Sequence, residues 1–265
     1  MFDTHSHLNF TAFKKDYAEI IGRSFNNGIK GIINVGSQLE TSKRAIEIAH
    51  EFFNKKIYAA IGLHPIHVNN EKFNLKEYQK IAKDPKVKAI GEIGLDYYRI
   101  SDAKAQKLQK EIFLKQLNLA KEFNLPLILH CRGSQEKPLK AYKEMLDILK
   151  SFLKKYPRLF GVIHCFEANW KIAEQFLCSN FLISFTGIIT FKDDEKIKEV
   201  IKKIPLDKIL TETDCPYLTP SPFRGKRNEP LYVKYVIQKI AEIKKIDFEK
   251  VNQATTQNAM KLFGI

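Results

Sequence analysis

Pro126-Leu127-Ile128-Leu129-His130 and Phe160-Gly161-Val162-Ile163-His164 are the two stretches on which the fold turns. Each is a near-continuous apolar run that ends in a histidine. A strand with one face in water alternates apolar and polar residues, whereas a parallel strand covered on both faces does not. To either side of these two, short apolar, β-branched runs recur along the whole chain. Strands are expected at residues 2–5, 30–34, 57–62, 88–92, 126–130, 160–164, 181–184 and 208–212. Amphipathic segments lie between them. Residues 102–123 place Leu108 with Ile112, Phe113 with Leu117 and Leu117 with Ala120 at helical spacing, with Ser101 as N-cap and Asn124 as stop. Residues 11–27 close at Gly28 in the same way, and two more helices fill 230–244 and 247–262. The repeat is roughly 30 residues, which suits a βα unit. Eight such units predict an α/β fold, a TIM (β/α)8 barrel, with residues 1–265 forming one domain.

Composition excludes several classes. At 265 residues and 44% hydrophobic, the chain can build an ample core. No run approaches the roughly 18 apolar residues of a membrane helix, so no membrane partner is expected. No signal-peptide pattern precedes His5 and His7, which predicts a cytoplasmic protein. The four cysteines form no C-x-x-C pair. Cys131, Cys165 and Cys215 directly follow His130, His164 and Asp214, so alternation predicts that they face away from a pocket as reduced packing residues. The formal net charge of +14 favours polyanionic partners in general terms. Lysine pairs such as Lys14-Lys15, Lys154-Lys155 and Lys244-Lys245 scatter that charge over apparent helix faces, which weakens the inference. No obligate protein partner is signalled.

The chemistry-bearing residues follow the logic of a barrel, whose active sites lie at the C-terminal ends of the strands. In Asp3-Thr4-His5-Ser6-His7, period two predicts that Asp3, His5 and His7 share a face. Two adjacent imidazoles can chelate a divalent metal. His64, Glu92, His130, His164 and Asp214 end the third, fourth, fifth, sixth and eighth runs. A lone histidine at a strand end is usually a hydrogen-bonded structural residue; the joint placement of seven candidates at one mouth reverses that expectation. Two divalent ions are predicted, with His5, His7 and Asp214 at the first, His130 and His164 at the second, and Glu92 bridging. Asp214 and Glu92 are the expected catalytic carboxylates, and Asp214 can also accept the proton of the attacking water. Asp3 and Glu212, one layer deeper, are expected to orient imidazoles. His64 sits in a loop that suits substrate contact. Asp96 and Tyr97-Tyr98 read equally as a turn with packing aromatics, and His50 and His67 as ordinary helix and loop residues. Arg132 and the segment Pro222-Phe223-Arg224-Gly225-Lys226-Arg227-Asn228 add cations near the mouth. Arg132 and Arg224 are the expected phosphate contacts, with Lys226 and Arg227 as more solvated helpers.

Taken together, His5-Ser6-His7, Gly62-Leu63-His64-Pro65, Gly91-Glu92-Ile93-Gly94-Leu95-Asp96, His130-Cys131-Arg132, His164-Cys165-Phe166, Glu212-Thr213-Asp214-Cys215-Pro216-Tyr217-Leu218 and Arg224-Gly225-Lys226-Arg227-Asn228-Glu229-Pro230 resemble the motifs of the TatD family. These are metal-dependent hydrolases of the amidohydrolase superfamily. The resemblance runs from residue 1 to near the end of the chain. It implies a binuclear site, magnesium-dependent deoxyribonuclease activity on DNA, and ligand roles for His5, His7, Glu92, His130, His164 and Asp214. It also associates His64 and the arginines with substrate phosphate. Two other readings stay open. One is a deacylase or esterase acting on aminoacyl-tRNA or another small ester or amide. The other is a metal-binding nucleic-acid module without turnover, against which the intact ligand set with Asp214 argues. Four imidazoles suit zinc, manganese, iron or nickel better than magnesium, so the ion bound on purification can differ from the one that supports activity.

Overall fold

Eight short strands that are buried on both faces need a second layer on the outside and a plug within, and a closed barrel supplies both. The computed structural model describes all 265 residues. Its strands are β1 (Phe2–Ser6), β2 (Gly31–Val35), β3 (Ile57–Ile61), β4 (Val87–Asp96), β5 (Leu127–Arg132), β6 (Gly161–Ile163), β7 (Phe181–Phe185) and β8 (Ile209–Thr211). They form one parallel sheet in sequence order. The helices are α1 (Tyr17–Asn26), α2 (Leu39–Glu51), α3 (Leu75–Ile81), α4 (Ala103–Phe123), α5 (Lys140–Lys155), α6 (Trp170–Leu177), α7 (Glu195–Lys203), α8 (Val233–Lys244) and α9 (Phe248–Phe263). The ring closes where Ser6 bridges Cys215 in parallel, the Asp214 N–H donates to the His5 carbonyl at 2.9 Å, and the His7 N–H donates to the Cys215 carbonyl at 2.9 Å. The TIM barrel read from the sequence is the architecture observed.

Alternation along each strand sorts the side chains. Ile33, Ala60, Ile128, Val162 and Leu210 fill one apolar cluster, and Leu262 and Phe263 of α9 join it. Two residues further along the same faces come Gly62 and then His64 after β3, His130 in β5, His164 after β6, and Glu212 after β8. The polar mouth is thus the next layer above an apolar plug.

Two strands break this count. In β1, Asp3 pairs with Ile32 but Ser6 pairs with Asn34, so β1 carries one extra residue. In β4, Ile90 pairs with Leu127 but Ile93 pairs with Leu129, again one extra. Such irregularities re-aim side chains beside active sites. Beyond the β1 irregularity, His5 and His7 are in register with the inward Ile33 and Val35, while Asp3 stays in register with Ile32, which packs in the outer layer. The expectation that Asp3 shares the face of His5 and His7 is therefore corrected. Beyond the β4 irregularity, Glu92 and Asp96 face inward beside His130, with Gly94 between them. Gly94 is needed there: it has φ +143°, and a Cβ would collide with the His130 carbonyl oxygen.

Local boundaries differ in a few places. The fourth strand runs on to Asp96 rather than stopping at 92, because it keeps pairing with β5 through Asp96 and Arg132. Residues 11–27 are a short 3-10 turn at Thr11–Phe13 followed by α1, not one helix. Residues Pro230–Tyr232 are likewise a 3-10 turn ahead of α8. The N-cap of α4 is Asp102 rather than Ser101, since the Asp102 carboxylate accepts the Ala105 N–H at 2.8 Å. Asn124 does stop α4, in a left-handed conformation. No helix is long and apolar enough to cross a membrane.

Candidate metal centre

Glu92 is the hub of the mouth, and its two oxygens face different histidines. Oε2 lies 3.4 Å from His5 Nε2 and 3.8 Å from His7 Nε2. Oε1 lies 2.8 Å from His130 Nδ1, 3.2 Å from His64 Nε2 and 3.7 Å from His164 Nε2. Asp214 closes the first side, with Oδ1 at 3.3 Å from His7 Nε2 and 3.8 Å from His5 Nε2. It adopts a left-handed backbone conformation at φ 56°, which aspartate tolerates better than most residues. Its carboxylate is 15% exposed to the cleft.

The imidazoles are held from behind. His7 Nδ1 lies 2.8 Å from the Val35 carbonyl, which as an acceptor requires the proton on that nitrogen and points Nε2 into the cleft. His64 Nδ1 accepts the Ile66 N–H at 3.1 Å. His164 Nδ1 lies 2.6 Å from Glu212 Oε1, and the His164 ring stacks on His5 at 3.7 Å between centroids. Glu212 thus sits behind an imidazole as expected, as an ion-pair contact outside hydrogen-bond geometry. Asp3 does not: its carboxylate accepts the Thr213 N–H and hydroxyl and the His5 backbone N–H.

Charge follows burial and neighbours. Burial pushes His64 down to about 4 and also lowers His5, helped there by the charge of His164. Burial opposes charge on His130, but Asp96 and Glu92 raise it to about 9. Burial likewise opposes charge on His164, but Glu212 raises it to about 10. Burial works against ionised Glu92, yet His64, His130 and His5 hold it well below the usual carboxylate range. Asp214 is also lowered: burial resists, and His7 and His164 prevail.

These residues suit a divalent ion. Three overlapping sets bring their ligand atoms within 4.8 Å of one another: His5, His7 and Asp214; His5, Glu92 and His164; and His64, Glu92 and His130. The Nε2 atoms of His5 and His7 face each other at 3.1 Å, and two ring nitrogens converging so closely suit a cation between them. His5 Nδ1 is buried without a hydrogen-bond partner, so nothing on its far side competes for the ring.

Each residue singled out from the sequence finds a place. His5, His7, Glu92, His130, His164 and Asp214 converge. His64 joins the cluster on the Oε1 side of Glu92 instead of standing out in its loop. His67 is half-buried and borders the cleft. His50 lies away from it, paired with Asp84 at 2.9 Å. Arg132 and Arg224 line the cleft, a space of about 760 Å³. Arg132 stacks on Tyr98 at 3.9 Å, and Arg224 stacks on Phe191 at 3.7 Å while donating to the Thr219 carbonyl. Arg227 is a loop tie, bonded to Asp16 and the Ala12 carbonyl, and not a solvated helper. Cys215 is buried away from the cleft, but against the expectation that they face away the cleft is lined by Cys131, which is buried, and by Cys165, which is only partly so. Its left-handed φ of 45° ends the alternation that the expectation relied on.

Sequence reasoning undervalued Asp96 and overlooked Arg99. Asp96 Oδ2 lies 3.0 Å from His130 Nε2, and its Oδ1 accepts the Arg99 N–H at 2.8 Å. The signal was present: Glu92, Gly94 and Asp96 recur with period two on an extended strand. Arg99 and Tyr217 also line the cleft; Tyr217 falls inside a motif that gave it no role, and no sequence pattern marked Arg99.

Comparisons with known proteins agree with this arrangement. The family described as TatD related DNase matches residues 2–264. An uncharacterized metal-dependent hydrolase of Bacillus subtilis, YabD, is 43% identical over 100% of this chain and 99% of its own length. The uncharacterized metal-dependent hydrolase YcfH of Escherichia coli K12 is 31% identical over 99% of this chain and 95% of its own. Among solved structures, the TatD homologue YJJV of Escherichia coli K12 superposes with a TM-score of 0.88 at 30% identity, covering 100% of this chain and 98% of that one.

Proposed function

Because this chain belongs to the TatD-related DNase family and is a metal-dependent hydrolase, we propose that it is a deoxyribonuclease that cleaves DNA phosphodiester bonds with two divalent ions. One observation carries the reading: Glu92 turns one oxygen toward His5 and His7 and the other toward His64, His130 and His164. A carboxylate split between two histidine sets is the donor arrangement of a bridged pair of ions. His5, His7 and Asp214 would hold the first ion, and His130 and His164, with His64 beside them, the second. Divalent ions held there supply Lewis-acid activation of water and neutralise phosphate charge.

The protein's own groups do the rest. Asp214 is kept ionised by His7 and His164 and reaches the cleft, so it can accept the proton of an attacking water. Glu212 pairs with the His164 ring, and Asp96 fixes His130. Arg132 and Arg224 present guanidinium groups at the rim, whose fork matches the oxygens of a phosphodiester. The apolar layer beneath the cluster shuts the floor of the cleft to water.

The test is a metal-stripped sample offered single-stranded DNA, duplex DNA, RNA and aminoacyl-tRNA, with divalent ions added back one at a time. Hydrolysis of DNA should vanish on chelation and return with an ion. Full DNA hydrolysis without metal removes the mechanism, and turnover of aminoacyl-tRNA alone replaces the substrate.

A further inference from the structure

The connections entering β3, β4, β5 and β6 all cross the end of the barrel opposite the cleft, because parallel strands start at one end. Residues 52–57, 82–90, 121–128 and 153–162 carry nine Lys or Arg and only two carboxylates. Their net of seven positive charges is half of the chain's +14. Both carboxylates are engaged, Asp84 with His50 and Glu122 with Gln79. Charge that looks scattered along the sequence is gathered by the fold onto one arc.

Register makes the arc continuous. Val87 pairs with Ala59, which sets Lys86 beside Tyr58, and the Lys86 and Lys88 ammonium groups lie 5.6 and 5.8 Å from the Tyr58 ring. Ile90 pairs with Leu127, which sets Lys88 next to Leu125. Leu125 borders a cavity of about 280 Å³ between the ends of α4 and α5, lined by Lys121, Lys155 and Arg158 with Tyr156 and Phe160, and by no acidic residue. Some helix-face lysines elsewhere sit in ion pairs, as Lys110 with Glu144, Lys203 with Glu199 and Lys239 with Glu242, and others such as Lys104 and Lys171 are unpaired, so it is the density of cations that sets the arc apart. A helix dipole accounts for Lys121 and Lys155, each in a last turn, but not for Lys86, Lys88 or Arg158.

We propose that this arc is a second nucleic-acid surface, which grips the phosphate backbone of DNA at a distance from the cleft. The choice of DNA among polyanions rests on the nuclease reading above. Unpaired cations beside aromatic rings bind a phosphate chain without reading its sequence, and such binding weakens steeply with salt. A polymer held there keeps its remaining length at a high local concentration near the mouth.

The experiment uses the full chain with four substitutions, Lys86→Gln, Lys88→Gln, Lys121→Gln and Arg158→Gln. A control carries the same charge change on exposed helix faces, Lys104→Gln, Lys107→Gln, Lys115→Gln and Lys171→Gln. Binding of a labelled DNA duplex is read by fluorescence anisotropy in chelator, so that it is scored independently of cleavage. The arc variant should bind about tenfold or more weakly, with the slope of log affinity against log salt reduced by roughly three to four, near one for each phosphate no longer neutralised. The pair Lys121→Gln and Arg158→Gln alone should give about half that change, which covers misfolding of the fourfold variant. Unchanged binding, or an equal loss in the control, overturns the proposal. So does binding to phosphatidylserine vesicles without binding to DNA. Loss of binding in the arc variant, together with an enzyme that never cleaves DNA, keeps the arc and discards the nuclease.

Discussion

Asp3 and Thr213 are joined twice: Asp3 Oδ1 accepts the Thr213 backbone N–H at 2.9 Å, and Oδ2 accepts its hydroxyl at 2.6 Å. Thr213 precedes Asp214, whose N–H in turn donates to the His5 carbonyl. A buried carboxyl in the first strand therefore holds the segment that carries Asp214, the proposed base. Asp3→Ala should orphan both Thr213 donors, at about 1–3 kcal/mol each. Burial lifts Asp3 to about 8, against the Thr213 hydrogen bonds, so the group is largely neutral at pH 7. Asn, neutral and of similar shape, should cost far less than Ala. Denaturant unfolding of metal-free protein measures both, and equal midpoints for wild type and Asp3→Ala would sink the argument.

Glu92→Gln should lower metal content at both positions together. His7→Ala should deplete mainly one, because His7 faces Oε2 and Asp214 only. Metal analysis after gel filtration reads the stoichiometry. Two ions retained by Glu92→Gln would show that it does not bridge.

Asp214→Asn should cut turnover by orders of magnitude in protein with verified metal content. The amide keeps a coordinating oxygen but cannot accept a proton. Each tenfold loss is about 1.4 kcal/mol of barrier. Near-wild-type turnover would exclude Asp214 as the base.

Stability and metal affinity should move in opposite directions as pH rises. His130 at about 9 and His164 at about 10 lie above the roughly 6.5 of a free imidazole. Their contribution to the metal-free fold is full below about 6.5 and is lost as pH climbs through those values. Glu92 and Asp96 are held low, so their contribution is present above about 4 and lost on acidification. His64 and His5, held low, add a loss as pH falls below about 6.5, which Asp3, lifted to about 8, partly offsets, so metal-free protein should be most stable in the upper part of roughly pH 5 to 6.5. A divalent ion competes for the same nitrogens, so its affinity should increase from pH 6 to about 9, with proton release. Calorimetry in two buffers of different ionisation heat counts the protons. Zero release at pH 7 contradicts the assignment.

Arg132→Ala should raise KM for DNA and flatten its salt dependence by about one unit, with the melting temperature unchanged. Arg224→Ala should do the same but also lower the melting temperature, since Arg224 braces the Thr219 carbonyl and Phe191. Lysine should restore only part of the affinity at either position. A melting effect without any change in salt slope would make both arginines loop braces alone.

Much of this protein was legible in its sequence because the deciding signals are local. Apolar runs ending in His130 and His164, spaced by helical segments, specify buried parallel strands and so the barrel, and the barrel dictates at which end the polar residues gather. Within one strand, alternation puts His130 on the face of Ile128, and the same count from Glu92 reaches Asp96 once the strand is known to run past residue 92. What alternation could not reach depended on the neighbouring strand. The extra residues in β1 and β4 are defined only against the pairing of β2 and β5, and they turn His5, His7 and Glu92 inward and Asp3 outward. The division of Glu92 between two histidine sets, the pairing of Glu212 with His164, and the gathering of lysines onto one end of the barrel join residues far apart in the chain. Those distances are set by closure of the sheet, which no stretch of sequence contains.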